Sequence, residues 1–140
     1  MRGGNVFRLR FALFRSAGDV VFRDLLAEDA LVYAGYSAGA CVLSSTLRGL
    51  EVVDDAGAVM RIYGSEPVRD GLALLKEAFL PHYQSPGHPE TAAVDLVAAR
   101  YQAEGVGYRP LRDGQALLIN GVATEIGSPT INPGQVSQRA

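Results

Sequence analysis

The chain contains a single cysteine, two histidines and no tryptophan among its 140 residues. A lone thiol, Cys41, cannot form an internal disulfide, and one cysteine with two histidines offers too few soft ligands to close a structural zinc site. Excess charge is also lacking: 13 basic residues balance against 15 acidic ones, for a formal net charge of −2. These charges are dispersed, so there is no basic block to follow a phosphate backbone and no acidic tail to recruit a basic partner. No apolar run reaches the length needed to cross a bilayer, and Met1-Arg2-Gly3-Gly4-Asn5 has no secretory-type core. The absences lead to the expectation of a cytoplasmic protein in a reducing setting, without nucleic-acid, membrane or metal partners.

What is present suffices for a core: 48% of the residues are apolar, enough for one domain without staples. That domain is expected over residues 1–127, with 128–140, rich in Pro, Gly, Ser and Gln, as a frayed tail. The spacing of Val6, Phe7, Leu9, Phe11, Leu13 and Phe14 predicts a helix over Val6–Phe14. Asp19 is placed to cap a second helix carrying Val20, Val21, Leu25 and Leu26. Ala30–Ala34 is a short apolar run suited to a buried parallel strand, and a helix should begin at Ala38. Two short strands around Asp54-Asp55-Ala56-Gly57 are expected within Leu50–Tyr63. A further apolar segment covers Leu72–Phe79, an exposed loop Tyr83–Pro89, and a helix Thr91–Ala103. Strands at Gln115–Ile119 and Val122–Ile126 flank Asn120-Gly121, the signal for a type I′ hairpin.

Chemistry concentrates at Gly35-Tyr36-Ser37-Ala38-Gly39, a G-x-S-x-G pattern between a strand signal and a helix signal. A sharp strand-to-helix turn strains the serine backbone and draws neighbouring chain close, which explains a glycine on either side. Ser37 is the candidate nucleophile. The first amides of the helix behind it lack internal partners and carry the positive end of its dipole, so the Ala38 amide is a candidate oxyanion donor. The competing view is a glycine-rich turn with an ordinary exposed serine. A serine hydroxyl needs a base, and only His82 and His88 are available. His82 follows Phe79-Leu80-Pro81, where an apolar strand would reach the C-terminal edge of a sheet, the edge at which open α/β sheets build their sites. His88 sits in the Pro-rich loop, where a solvated histidine is the ordinary finding.

The combination resembles the peptidase E (dipeptidase E, S51) family. Gly3-Gly4-Asn5-Val6-Phe7 is similar to its G-G-N-T-F motif, Gly35-Tyr36-Ser37-Ala38-Gly39-Ala40 to its G-x-S-A-G-A elbow, and Leu80-Pro81-His82-Tyr83 to its P-H-F/Y segment. Gly87-His88 with Glu90-Thr91 resembles a G-H…E-T stretch, and Asp113-Gly114-Gln115-Ala116-Leu117 the late D/E-G-x-A-L motif. The resemblance implies a three-layer α/β sandwich with a mostly parallel sheet, flavodoxin-like and akin to class I glutamine amidotransferases. It also implies cofactor-free cleavage of short peptides through an acyl-enzyme. Ser37 would be nucleophile, His82 base, and the amides of Gly4 and Ala38 the oxyanion hole, with Asn5, His88 and Glu90 meeting substrate. For the acid that orients the histidine, an ungapped match places Val52 at the family's position. Asp54 is preferred among Glu51, Asp54 and Asp55 nearby, with Asp113 as the alternative.

Two departures qualify the resemblance. Family members that cleave after an N-terminal aspartate have a basic residue following the E-T pair, whereas Ala92 follows Thr91 here. Loss of such a carboxylate partner should weaken recognition by about 1 kcal/mol or more, so Asp-X specificity is in doubt unless Arg69, Arg100 or Arg109 substitutes. Family chains also extend well before G-G-N with strands that lie beside the elbow strand. A sheet without those neighbours exposes an edge and apolar faces, and a homodimer is expected to cover them, an incomplete gene start being the competing explanation. Three other readings stand beside the hydrolase: a degenerate binding or dimerisation module, an esterase of α/β-hydrolase type with Ser37, Asp54 and His82 in that order, and Cys41 as nucleophile.

Overall fold

In a computed structural model, the structure describes residues 1–120 and the backbone of 122–126. Its elements run α1 (Val6–Arg15), α2 (Gly18–Ala27), α3 (Ala38–Cys41), a single 3₁₀ turn at Leu50–Val52, α4 (Gly57–Tyr63), β1 (Ala78–Leu80), α5 (Thr91–Glu104), β2 (Tyr108–Pro110), β3 (Ala116–Asn120) and β4 (Val122–Ile126). The fold is α/β. β1 and β2 pair in parallel, Ala78 opposite Tyr108 and Leu80 opposite Pro110, and β3 and β4 pair antiparallel.

The N-terminal helix forms where its spacing placed it. Asn5 caps it by accepting the Arg8 amide at 3.0 Å, which satisfies one of the donors a helix start leaves unpaired. Its inner face buries Val6, Phe7 and Phe11 against a core of Val42, Leu47, Leu72, Phe79, Leu80, Val94, Val97 and Tyr101. Each large apolar side chain so buried contributes about 1.5–3 kcal/mol. Arg10 is also inside, its guanidinium pairing with Asp19 at 2.9 Å and with the Asp70 carbonyl at 2.9 Å. Asp19 therefore ties α2 to α1, while the N-cap position of α2 falls to Ala17, in the left-handed region at φ 54°.

Two expectations of strands are corrected. Ala30–Ala34 belongs to no strand, and Val32 is 95% exposed. A parallel strand exists only through its neighbours' hydrogen bonds, and the backbone bonds of this segment among the described residues are one at each end, from the Ala30 amide to the Leu25 carbonyl and from the Met1 amino group to the Ala34 carbonyl. Leu50–Tyr63 holds the 3₁₀ turn and α4 instead of two strands: Val59 and Ile62 are one helical step apart, and their β-branched chemistry masked that period. The helix after the elbow is four residues long. Beyond it the chain runs beside 70–75, with the Leu72 amide bonded to the Val42 carbonyl at 2.8 Å and the Ala73 amide to that of Ser44 at 2.9 Å. Of Leu72–Phe79 only the end enters a strand, and β2, three residues ending in a proline, was not foreseen. α5 and the hairpin strands match their expected positions to within a residue or so, while Gly121 and the expected tail, 128–140, lie outside the described residues. No helix among the described residues is long and apolar enough to cross a membrane.

The 42–46 and 70–75 segments approach so closely that a Cβ on Gly71 would overlap the Ser44 carbonyl oxygen. Gly71→Ala is expected to lower unfolding free energy by about 1–3 kcal/mol, read as a reduced denaturation midpoint in urea. An unchanged midpoint would show that the two segments can separate freely.

Candidate active site

Ser37 sits at the bend between the extended segment ending at Tyr36 and α3, with φ 50° and ψ −126°. Few non-glycine residues hold such a backbone, and it persists only where surrounding contacts over-determine it. The contacts are visible. A Cβ on Gly35 would lie 2.9 Å from the Gly39 carbonyl oxygen, and one on Gly39 would lie 2.6 Å from that of Met1. Gly3 rests on the serine itself, its missing Cβ position being 3.0 Å from Ser37 Cβ and 3.2 Å from Oγ. The glycines of both motifs thus serve one close packing of three backbone segments.

The Ala38 and Gly4 amides have no hydrogen-bond acceptor among the described residues, whereas the Ala40 and Cys41 amides already bond to the Ser37 carbonyl at 2.8 and 3.0 Å. With α3 only one turn long, what this bend offers an anion is the single amide of Ala38 more than any helix macrodipole. A cavity of about 520 Å³ opens in front, lined by Arg2, Gly3, Gly4, Tyr36, Ser37, His82, His88 and Glu90. Ser37 and His82 both line it, without a mutual hydrogen bond.

His82 lies two positions beyond the end of β1, in the left-handed region at φ 61°. Its Nδ1 is 2.6 Å from Asp113 Oδ1. With that carboxylate accepting Nδ1–H, Nε2 keeps its lone pair. Asp113 is itself positioned, its amide donating to Ser85 Oγ at 2.8 Å, and Thr91 Oγ1 donates to the His82 and Ser85 carbonyls at 3.0 and 2.7 Å. The His82 ring stacks face to face on His88, centroids 3.6 Å apart and planes within 3°.

Asp54, the preferred triad acid, is occupied elsewhere. Its Oδ2 accepts the Val6 amide at 2.7 Å at the start of α1, and burial pushes its carboxyl above the usual range. Glu51 accepts the Gly49 amide and pairs with Arg69, and Asp55 pairs with Arg61. The acid at the histidine is the former alternative, Asp113. Asn5 is also committed to structure: besides capping α1, its Nδ2 donates to the Asp55 carbonyl at 2.8 Å, and it is absent from the cavity wall. His88 and Glu90 do reach that wall. Cys41 is buried, its thiol pushed up by burial, with Asp54 adding to the effect, the opposite of what activates a nucleophilic thiol.

Arg2 and Tyr36 were missed. The Arg2 guanidinium donates through Nε to Tyr36 Oη at 3.3 Å, an interaction that pulls the Tyr36 hydroxyl below its ordinary value. No motif marks either residue.

A model of peptidase family S51 matches residues 1–127. Among solved structures, the chain is similar to a crystal structure at 1.5 Å of a protein from Listeria monocytogenes EGD-e provisionally described as a peptidase E. The TM-score is 0.76 at 24% identity, over 91% of this chain and 58% of that one. The chain thus spans less than two thirds of the length of that relative. No curated protein matches the chain.

The geometry separates the two acids experimentally. Asp113→Asn should slow labelling of Ser37 by a fluorophosphonate about 10- to 10³-fold, because a neutral amide that can itself donate to Nδ1 replaces the carboxylate that fixes the imidazole tautomer and stabilises the imidazolium. Asp54→Asn, which retains an acceptor for the Val6 amide, should label within about threefold of wild type. The reverse order would return the acid's role to Asp54.

Proposed function

The chain belongs to peptidase family S51, and on that premise we propose that it is a serine hydrolase cleaving short peptides through an acyl-enzyme. The observation that carries the reading is the convergence on one cavity of Ser37, the Gly3-Gly4 loop and a histidine whose far nitrogen is held by Asp113. Ser37 Oγ attacks the scissile carbonyl carbon as its proton passes to His82 Nε2. The amides of Gly4 and Ala38 receive the oxyanion. Collapse of the tetrahedral species breaks the C–N bond, and His82 returns the proton to the departing amine. Water, deprotonated by His82, then attacks the acyl ester, and a second collapse frees the acid and restores Ser37. The steps use no cofactor.

Substrate size follows from the cavity, whose volume suits a molecule of a few residues. Glu90 and Arg2 bring opposite charges to its wall, as suits a small zwitterion: a carboxylate for a free amino group, a guanidinium for a carboxylate. Ala92 still removes the basic residue at the family's own position, so Asp-X preference is not part of the reading.

A second reading, a binding or dimerisation module without turnover, is favoured by the bare flank of the elbow segment, where Val32 is 95% exposed. Labelling decides between them. Wild type should react with a fluorophosphonate and turn over members of a dipeptide library, Ser37→Ala should do neither, and His82→Ala should lose at least about 10²-fold. Equal labelling of Ser37→Ala would remove the nucleophile assignment; no labelling and no turnover by wild type would leave the binding module.

We propose further that a second copy of the chain covers the exposed flank. Val20, Val21 and Phe14 are each 57% exposed and lie on α1 and α2, next to the elbow segment in sequence, and a dry contact there would remove apolar surface that a monomer leaves wet. Size-exclusion chromatography with light scattering should return twice the mass of one chain. A stable monomer at micromolar concentration would overturn the dimer.

A further inference from the structure

His82, His88 and Glu90 form a cluster that hydrolysis alone does not require. Each is partly buried, and each offers one ligand atom within 4.8 Å of the others. We propose that these three side chains bind a divalent cation of the zinc class. Two imidazoles and a carboxylate with an open position toward a cavity are a donor set such ions accept, with the fourth place left to water. Bonds of about 2.0–2.1 Å in a tetrahedral array need ligand atoms about 3.4 Å apart, so the cluster must contract, and the parallel rings must fan out of their stack for their lone pairs to converge.

Three features favour that contraction. Asp113 already holds His82 Nδ1 at 2.6 Å, the carboxylate–histidine pairing that orients a ligating imidazole and raises its basicity. His88 has little to surrender, since its Nδ1 receives only a long 3.3 Å bond from the Glu90 amide. The carboxylate of Glu90 has no ion-pair partner among the described residues. The chain's other soft donor, Cys41, is buried, and it has only these two histidines, so no competing imidazole site exists within it.

A cation on His82 Nε2 takes the lone pair that would deprotonate Ser37. Resting on the hydrolase reading, this makes the ion a reversible inhibitor and the enzyme most active when metal is scarce.

The experiment uses the tag-free full chain and Zn²⁺. Calorimetry should show one ion per chain, and both histidine Cε1–H proton resonances should move on titration. His88→Ala and Glu90→Gln should each weaken binding about tenfold or more, whereas Ser37→Ala should bind as wild type does. No binding at millimolar Zn²⁺, resonances that stay in place, or undiminished affinity in a folded Glu90→Gln variant would overturn the site. Zn²⁺ should also suppress fluorophosphonate labelling, with recovery on adding EDTA. Binding without suppression would leave the metal site standing and remove His82 as the base.

Discussion

The backbone conformation of Ser37 is the constraint on which the site depends. At φ 50° and ψ −126° the residue cannot relax toward helix or strand without moving the chain on both sides of it, and three glycines allow that chain to come close enough to prevent relaxation. Gly35 and Gly39 leave room for the carbonyls of Gly39 and Met1, and Gly3 lies against the serine side chain. A methyl at any of these places would push the segments apart and release the strain that projects the hydroxyl. The same packing leaves the Ala38 amide without an acceptor among the described residues and keeps the Gly3-Gly4 loop beside Ser37. The projecting hydroxyl, the open amide and the loop are consequences of one tight crossing of backbones.

The histidine arm comes from a different physical source, the register of two parallel strands. β1 and β2 end side by side, Leu80 against Pro110, and the ladder continues past them through the Leu111 amide to the Leu80 carbonyl and the Tyr83 amide to the Leu111 carbonyl. Chains leaving adjacent parallel strands emerge at one edge. His82 and Asp113 are the first ionisable side chains after those ends, apart from Arg112, so their pairing follows from the register without any local motif joining positions so far apart in sequence. The sheet is small, but it sets the one geometry that the imidazole needs.

Much of this was legible in the chain, and what was not has identifiable causes. The elbow, α1, α5 and the hairpin strands carry local signals: paired glycines, a 3.6-residue period, alternating β-branched residues around Asn-Gly. The preference for Asp54 failed because it rested on proximity in sequence to the elbow. Asp54 is drawn instead to the free Val6 amide at the start of α1, a contact set by the packing of α1 and α4. Asn5 was read from its motif as a substrate contact, though its place immediately before an apolar helix fits a cap. Arg2 and Tyr36 gave no signal, because their value lies in which cavity they face.

The expected strand at Ala30–Ala34 shows how far composition depends on neighbours. Its apolar residues are those of a buried parallel strand, yet without adjacent strands among the described residues it gains no ladder and Val32 is left 95% exposed. The elbow is thereby supported unevenly. On one side α1 and α3 bury Val6, Phe7, Ala38 and Cys41 in the common core; on the other, a few contacts from Met1 and the Phe22–Tyr33 ring pair, 4.9 Å between centroids, hold the approach to Ser37. A strained residue keeps its geometry only as well as its weaker flank is restrained. A partner laid on that flank would therefore act on Ser37 through the segment that carries it, without touching the cavity.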